Sequence, residues 1–108
     1  MKIKNIEFTI LDLKERYGRY RAQGAVLELS TDEGLTGISR CTAGVRQIVE
    51  ESLTPLLTDK DPMNTELLWQ SMYGTIGNLD EDRRATVTAI GALDIALWDL
   101  KGRILGVP

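Results

Sequence analysis

Apolar and polar side chains alternate in two runs near the start of the chain, Asn5–Ile10 and Ala25–Thr31. A period of two is typical of a β-strand with one buried and one solvated face. A third run, Leu35–Cys41, is also rich in apolar residues. The side chains expected to face the core are Ile6, Phe8 and Ile10 in the first run and Ala25, Leu27 and Leu29 in the second.

The segment between the second and third runs predicts how these runs pair. It reads Thr31-Asp32-Glu33-Gly34, and glycine readily adopts the left-handed conformation that a short hairpin loop needs. We therefore predict three antiparallel strands, whose apolar face must be covered by another element.

Beyond Gly44 the apolar residues recur at helical spacing. A first helix is predicted from the helical spacing of five mostly apolar residues, Val45, Ile48, Val49, Ser52 and Leu53. Pro55 is expected to end this helix, because proline disfavours a helical conformation at the preceding residue. A second helix is expected to begin at Asp61-Pro62, where aspartate can cap and proline suits the first helical position. Its buried stripe is predicted to comprise Met63, Leu67, Leu68, Met72 and Ile76.

A third helix is predicted from Thr86 to Leu105, with Asn78 or Asp80 as its cap. One apolar stripe comprises Ile90, Leu93, Leu97, Leu100 and Ile104, and a second comprises Val87, Ile95, Trp98 and Leu105. A surface helix needs only one such stripe, and a domain of 108 residues has little material to cover both. The pattern predicts an α+β domain, a three-stranded antiparallel meander followed by about three helices, whose last helix contacts a partner outside the domain.

Composition narrows the chemistry that this chain can carry. It contains 16 acidic and 13 basic residues, for a net charge of −3, which disfavours a nucleic-acid surface. No apolar run approaches the roughly 20 residues that cross a bilayer, and the chain start lacks a signal-peptide core, so we expect a cytoplasmic protein without membrane contact. With no histidine, histidine-based triads and zinc sites are excluded. The single cysteine, Cys41, is expected to be an inert, partly buried side chain.

Five segments, in this order and spacing, resemble the N-terminal capping domain of the enolase superfamily, in the branch of mandelate racemase and muconate lactonising enzyme with its many sugar-acid dehydratases. The run Ala92–Gly102, which reads ALDIALWDLKG, is the most specific of them. The others are Met1–Glu7 for the first strand, Val26–Gly37 for the hairpin, and the landmarks Leu53–Leu57 and Asp61-Pro62. The resemblance extends over essentially all 108 residues.

This resemblance implies a lid that closes over the mouth of a (β/α)-barrel. In that family the barrel holds magnesium with carboxylates and supplies the acid and base residues that remove the proton next to a substrate carboxylate. None of those residues can be carried over onto this chain, and the barrel is expected after residue 108. The resemblance implies a dehydratase or racemase of sugar acids that assembles as a homo-oligomer. Residues 1–108 alone are expected to bind no cofactor and to turn over no substrate.

The resemblance also assigns substrate contact to two loops. The first spans Asp12 to Gln23, and its stretch from Lys14 to Arg21 holds four basic residues and one acidic residue. Arginine can fork onto a carboxylate, and tyrosine offers a hydroxyl group. The candidate substrate-binding residues in this loop are Arg16, Tyr17, Arg19 and Tyr20. Without the resemblance, the same charges are typical of a solvated loop.

The second loop follows the third strand and contributes Arg40 and Thr42 as candidate substrate contacts. Capping of the next helix is an alternative role for Thr42. Acidic pairs such as Asp32 and Glu33 are explained by turns and caps, so no metal site is expected in this chain.

Two aspartates and two tryptophans stand out in the helical half of the chain. Asp99 is expected to pair with Arg103 at i,i+4, whereas Asp94 has no local partner and is expected to pair with a neighbouring helix or the barrel. Trp69 and Trp98 are expected in the core or at an interface. Two other functions stay open: a stand-alone module whose third helix binds another protein, and one chain of a split enzyme whose barrel is a separate polypeptide.

Overall fold

A computed structural model of the chain describes residues 1–12, 23–74 and 83–107. One antiparallel sheet is formed, in the order β1-β2-β3, by β1 (Ile3–Asp12), β2 (Gln23–Thr31) and β3 (Thr36–Thr42). The helical half contains a 3-10 turn (Ala43–Val45), a π-helical segment (Ile48–Leu53), α1 (Thr54–Leu57), α2 (Thr65–Tyr73) and α3 (Arg83–Leu105). The predicted α+β architecture is confirmed.

The hairpin between β2 and β3 forms as predicted. Gly34 has a φ of +85°, and its N–H donates to the carbonyl oxygen of Thr31 at 3.2 Å. The buried hydroxyl of Thr31 accepts the backbone N–H groups of Glu33 and Leu35 at 3.3 and 3.2 Å. These bonds satisfy the polar groups of the turn, which fixes the register of β2 against β3.

A β-bulge near the start of β1 determines which side chains face the core. Ile3 pairs with Thr31 and Asn5 with Ser30, so Lys4 is an extra residue on β1. The alternation changes face there, and Ile3 is therefore buried on the same side as Phe8.

The prediction that Ile10 is buried is wrong, because its side chain is 37% exposed. The helix α3, the largest covering element, packs mainly on β3 and β2, which leaves the far end of β1 at the margin of the core.

Pro55 does not end the first helical segment, contrary to the prediction. The π-helical segment runs into α1, which contains Pro55 in its first turn and ends at Leu57. Proline is well tolerated in the first turn of a helix. Thr54 donates both its backbone N–H and its hydroxyl group, at 2.8 Å, to the carbonyl oxygen of Val49. The predicted apolar positions Val45, Ile48, Val49 and Leu53 are buried.

The helix α2 begins later than predicted, at Thr65. Asp61 forms a turn instead, because its carboxylate accepts the Met63 N–H at 2.9 Å and its carbonyl oxygen accepts the Asn64 N–H at 3.2 Å. The helix consequently buries Thr65, Leu68 and Met72. Leu67, predicted to be buried, is 61% exposed, and the predicted positions Ile76, Asn78 and Asp80 lie outside the described residues.

The helix α3 covers the sheet with the first of its two predicted stripes. Ile90, Leu93, Leu97 and Leu100 are buried, and Ile104 packs partly buried at the edge of the core. This stripe is therefore confirmed. In the described ranges, no helix has both the length and the apolar character needed to cross a bilayer.

Small residues let α3 lie directly against β3. A Cβ atom at Gly37 would meet the Ala96 carbonyl oxygen, and the Leu100 Cβ and backbone nitrogen at 2.7 and 2.9 Å. The buried Ser39 hydroxyl donates to the Ala92 carbonyl oxygen at 2.7 Å. The two backbones therefore approach each other as closely as their atoms permit.

The carboxylate of Asp99 also links α3 to β3, the strand at the edge of the sheet. It accepts the backbone N–H of Ile38 in β3 at 2.9 Å and the side chain of Arg103 at 3.3 Å. The predicted pairing of Asp99 with Arg103 is confirmed, and it also holds the carboxylate toward the strand.

Candidate functional site

Both predicted substrate loops leave the sheet at the same end. Asp12 at the end of β1 pairs with Gln23 at the start of β2, and the adjacent Gly24 pairs with Thr42 at the end of β3. The loop between Asp12 and Gln23 and the loop after Thr42 are therefore anchored side by side. The candidate residues Arg16, Tyr17, Arg19 and Tyr20 lie outside the described residues.

Arg40 and Thr42 lie on the sheet face that points away from the helices. Arg40 pairs with Val26 and Thr42 with Gly24, out of phase with the buried Ala25 and Leu27, and both side chains are exposed. Thr42 occupies the capping position of the following 3-10 turn but forms no side-chain capping hydrogen bond. The alternative role of Thr42 as a cap is therefore not supported.

The second stripe of α3 is uncovered, which agrees with the expectation that a lone domain cannot hide it. Its residues define what we call the α3 outer face: Val87 (50% exposed), Ile95 (60%), Trp98 (55%) and Leu105 (56%). Gly91 falls one helical turn after Val87 on this side, and no described atom lies within 4 Å of a Cβ built there. Glycine inside a helix costs about 1 kcal/mol relative to alanine, and nothing within the described domain requires it.

A groove with both polar and apolar lining residues adjoins the α3 outer face and extends onto α2. This open groove of about 720 Å³ lies between the helices and is lined by Met63, Asn64, Thr65, Glu66, Leu67, Gln70, Trp98 and Lys101. Lys101 lies over the Trp98 ring at 4.7 Å from its centre. Farther along α2, the rings of Trp69 and Tyr73 stack at 4.7 Å. The sequence pattern missed this groove because it assigned Leu67 to the core.

Asp94 lies on α3 next to this groove and is partly buried. Burial raises the pKa of its carboxyl group, since desolvation disfavours the charged form. It lines a smaller cavity together with Thr65, Glu66, Trp69 and Trp98. The sequence prediction that Asp94 has no partner on its own helix agrees with its contacts among the described residues.

Two further kinds of site were considered among the described residues, a reactive cysteine and a metal site. Cys41 is half-buried, and burial raises the pKa of its thiol, which lowers the reactive thiolate fraction. Across the described ranges, no three acidic, cysteine or histidine side chains come together as a metal site would require.

Comparison with known proteins identifies the family. Over residues 6–108 the chain matches the family described as mandelate racemase / muconate lactonizing enzyme, N-terminal domain. It is 39% identical over 89 residues to a D-galactonate dehydratase family member from Paenibacillus sp., covering 77% of this chain and 21% of that protein. It is 38% identical over 87 residues to a D-mannonate dehydratase from Sphingomonas sp., covering 76% and 21% respectively.

Solved structures agree with the sequence comparison. The fold is similar to that of a mandelate racemase/muconate lactonizing enzyme from a marine actinobacterium in complex with magnesium, with a TM-score of 0.87 and 27% identity over 99% of this chain and 30% of that chain. The chain spans about a fifth of the length of the curated relatives it matches. It belongs to the N-terminal domain family of the mandelate racemase and muconate lactonizing enzymes, in the enolase superfamily.

Proposed function

We propose that this chain is the capping domain of a magnesium-dependent enzyme that removes the proton next to a substrate carboxylate. The α3 outer face carries the proposal, because it is an apolar surface that the domain itself leaves uncovered. In the proposed enzyme this face packs against a (β/α)-barrel. Gly91 supports the same assignment, since its lack of a side chain leaves room for a partner to approach the helix closely.

The reaction we favour is the dehydration of a sugar acid, with racemisation as the alternative within the same mechanism. The relatives named as D-galactonate and D-mannonate dehydratases support this substrate class. In such a reaction magnesium would stabilise the enediolate that forms when the proton leaves. The described residues of this chain bring no metal-ligand cluster together, so we assign the metal, the acid and the base to the barrel.

The part we assign to this chain is to bind the substrate and to close over it. The loop of residues 13–22 and the Arg40–Thr42 segment would meet the substrate together, because their anchors adjoin at one end of the sheet. Arg16, Arg19 and Arg40 would bind the carboxylate, and Tyr17, Tyr20 and Thr42 would hydrogen-bond to sugar hydroxyl groups. Closure of the loops would exclude water from the reacting carbon.

The loop assignment is tested by Arg19→Ala and Tyr20→Ala in the complete protein that contains the barrel. We expect kcat/KM for the sugar acid to fall about tenfold to a hundredfold, because a lost hydrogen bond to a charged group is worth about 1.5–3 kcal/mol. Steady-state kinetics and a thermal unfolding curve are measured for each variant, and the melting temperature is expected to stay within about 1 °C.

The matched control is Arg46→Ala, which removes an exposed arginine whose partner Glu50 lies one turn away on the surface. This variant should retain wild-type kcat/KM. If the loop variants lose activity only in proportion to their loss of melting temperature, the loop is structural and the substrate contact is refuted.

The α3 outer face also fits a stand-alone module that binds another protein through this helix. Reading the gene beyond codon 108 separates the two functions. An in-frame barrel with spaced carboxylates supports the capping domain, and a stop codon supports the module or a split enzyme. A split enzyme would gain sugar-acid turnover when the two chains are mixed.

A further inference from the structure

The strand β3 is held against α3 at three successive residues that come just before the Arg40–Thr42 segment. The first, Gly37, lets the two backbones touch because it has no side chain. The second, Ile38, donates its backbone N–H to the carboxylate of Asp99 at 2.9 Å. The third, Ser39, donates its hydroxyl group to a carbonyl oxygen of α3 at 2.7 Å. The segment therefore extends from a part of β3 whose position α3 determines.

The contact with Asp99 differs from the other two because it acts at the open edge of the sheet. β3 is an edge strand, so alternate N–H groups point away from β2. The N–H of Ile38 is one of these groups, since it donates to α3, and the N–H groups of Arg40 and Thr42 follow on the same side. At about 3.4 Å per residue, Ile38 lies roughly 7 Å before Arg40 along the strand.

The carboxylate of Asp99 is itself held in one orientation. A single oxygen, Oδ2, accepts the N–H of Ile38 and, at 3.3 Å, the Nε–H of Arg103. Hydrogen bonds to an ionised acceptor are about twice as strong as those between neutral groups. Asp99 is therefore well suited to fix the edge of β3 relative to the helix.

We propose that Asp99 is a positioning residue, which sets the place of Arg40 against the substrate by holding β3 at Ile38. This rests on the proposed function above, in which Arg40 binds the substrate carboxylate. Asp99 acts through the strand, because its two hydrogen-bond partners among the described residues belong to the domain itself. Without it the end of β3 can shift, and a displacement of about 1 Å at a substrate contact can cost about a hundredfold in rate.

The first test is Asp99→Ala in the complete protein. We expect KM for the sugar acid to rise about tenfold and kcat to stay within about twofold, because a misplaced Arg40 loses affinity for the substrate and the transition state alike. A role in folding alone would lower the folded fraction, which reduces the apparent kcat and leaves KM unchanged. Steady-state kinetics well below the melting temperature distinguishes the two roles.

A double-mutant cycle with Arg40→Ala tests whether Asp99 acts through Arg40. If it does, Asp99→Ala raises KM no further once the arginine side chain has been removed. Additive increases in KM would overturn the proposal, and so would a wild-type KM for Arg40→Ala.

A conservative variant and a matched control complete the kinetic test. Asp99→Asn keeps an oxygen that can accept the N–H of Ile38, so its KM should stay within about threefold of wild type. Glu50→Ala removes an exposed carboxylate that also pairs with an arginine four residues away, Arg46, and it should leave KM unchanged. A KM for Asp99→Asn as high as that of Asp99→Ala would contradict a role through the hydrogen bond to β3.

Hydrogen exchange of β3, followed by mass spectrometry in the complete protein, separates this proposal from the proposed function. Asp99→Ala should speed exchange in the peptide of residues 36–42, because Ile38 loses its acceptor. Faster exchange with an unchanged KM, or unchanged exchange, overturns the positioning role and leaves the capping function intact. A wild-type protein without sugar-acid turnover overturns the proposed function, and the positioning role with it.

Discussion

Ile95→Asp in the complete protein is expected to lower kcat/KM for the sugar acid by at least about a thousandfold. Ile95 is the most exposed residue of the α3 outer face, and in the proposed enzyme it is buried against the barrel. Placing an unpaired charge in such an interface costs several kcal/mol, and about 1.4 kcal/mol corresponds to each tenfold change. The cap then separates from the barrel and its loops no longer close over the substrate. Steady-state kinetics measures the loss.

Two controls separate docking from folding. In residues 1–108 alone, Ile95→Asp should change the free energy of unfolding by less than about 0.5 kcal/mol, because position 95 is exposed there. Asn5→Asp introduces the same charge at an exposed position of β1, away from α3, and should leave kcat/KM near wild type. Wild-type activity of Ile95→Asp would refute the assignment of this face to the barrel.

Gly37→Ala is expected to destabilise residues 1–108 by about 3 kcal/mol or more. The added Cβ would collide with the Ala96 carbonyl oxygen and with backbone and Cβ atoms of Leu100, none of which can rotate away. To accommodate it, α3 must move off β3, which strains the Ser39 to Ala92 hydrogen bond. Overpacking of this kind costs about 1–3 kcal/mol, and each lost hydrogen bond adds about 1 kcal/mol.

Urea unfolding measures this change, with Gly44→Ala as the matched control. Gly44 is exposed, and no described atom lies within 4 Å of a Cβ built there. The control should unfold at nearly the wild-type urea concentration. If Gly37→Ala and Gly44→Ala unfold alike, the close contact between α3 and β3 does not contribute to stability as described.

Strictly periodic segments made the architecture predictable from sequence. Ala25, Leu27 and Leu29 alternate without interruption, and they are buried as predicted. The two stripes of α3 were also separable, because a helix of 23 residues repeats its pattern enough times to define both faces. Even the exposure of the second stripe followed from the size of the domain.

Features that depend on a single residue or on a distant element escaped prediction. The extra residue Lys4 in β1 changes the buried face, and the prediction of the first strand, which began at Asn5, did not include it. Pro55 was assigned to a helix end, yet a preceding π-helical segment places it in the first turn of α1. Asp61 has the residue type of a helix cap but closes a turn before α2. Proline is compatible with a helix end and with a first helical turn, and aspartate with a helix cap and with a turn. Packing against the rest of the domain determines which of the two conformations forms.

The candidate site was predictable only in part. The sequence singled out Asp94 as a carboxylate without a local partner, which agrees with its contacts among the described residues. The cavity that joins it to Trp69 and Glu66 could not be foreseen, because it depends on how α2 and α3 pack against each other. Arg40 and Thr42 were assigned to a loop after the third strand but belong to the last residues of β3, and their contact with a substrate stays a prediction.

Hydroxyl-radical footprinting of the α3 outer face tests the central claim most directly. Oxidation of Trp98 is measured by mass spectrometry in residues 1–108 and in the complete protein, relative to Met1, which is exposed before β1, the strand at the edge of the sheet opposite β3. A barrel packed on this face predicts that the ratio of Trp98 to Met1 oxidation falls several-fold in the complete protein. An equal ratio in the two proteins would mean that water still reaches the helix, and it would contradict the assignment of this chain as a cap.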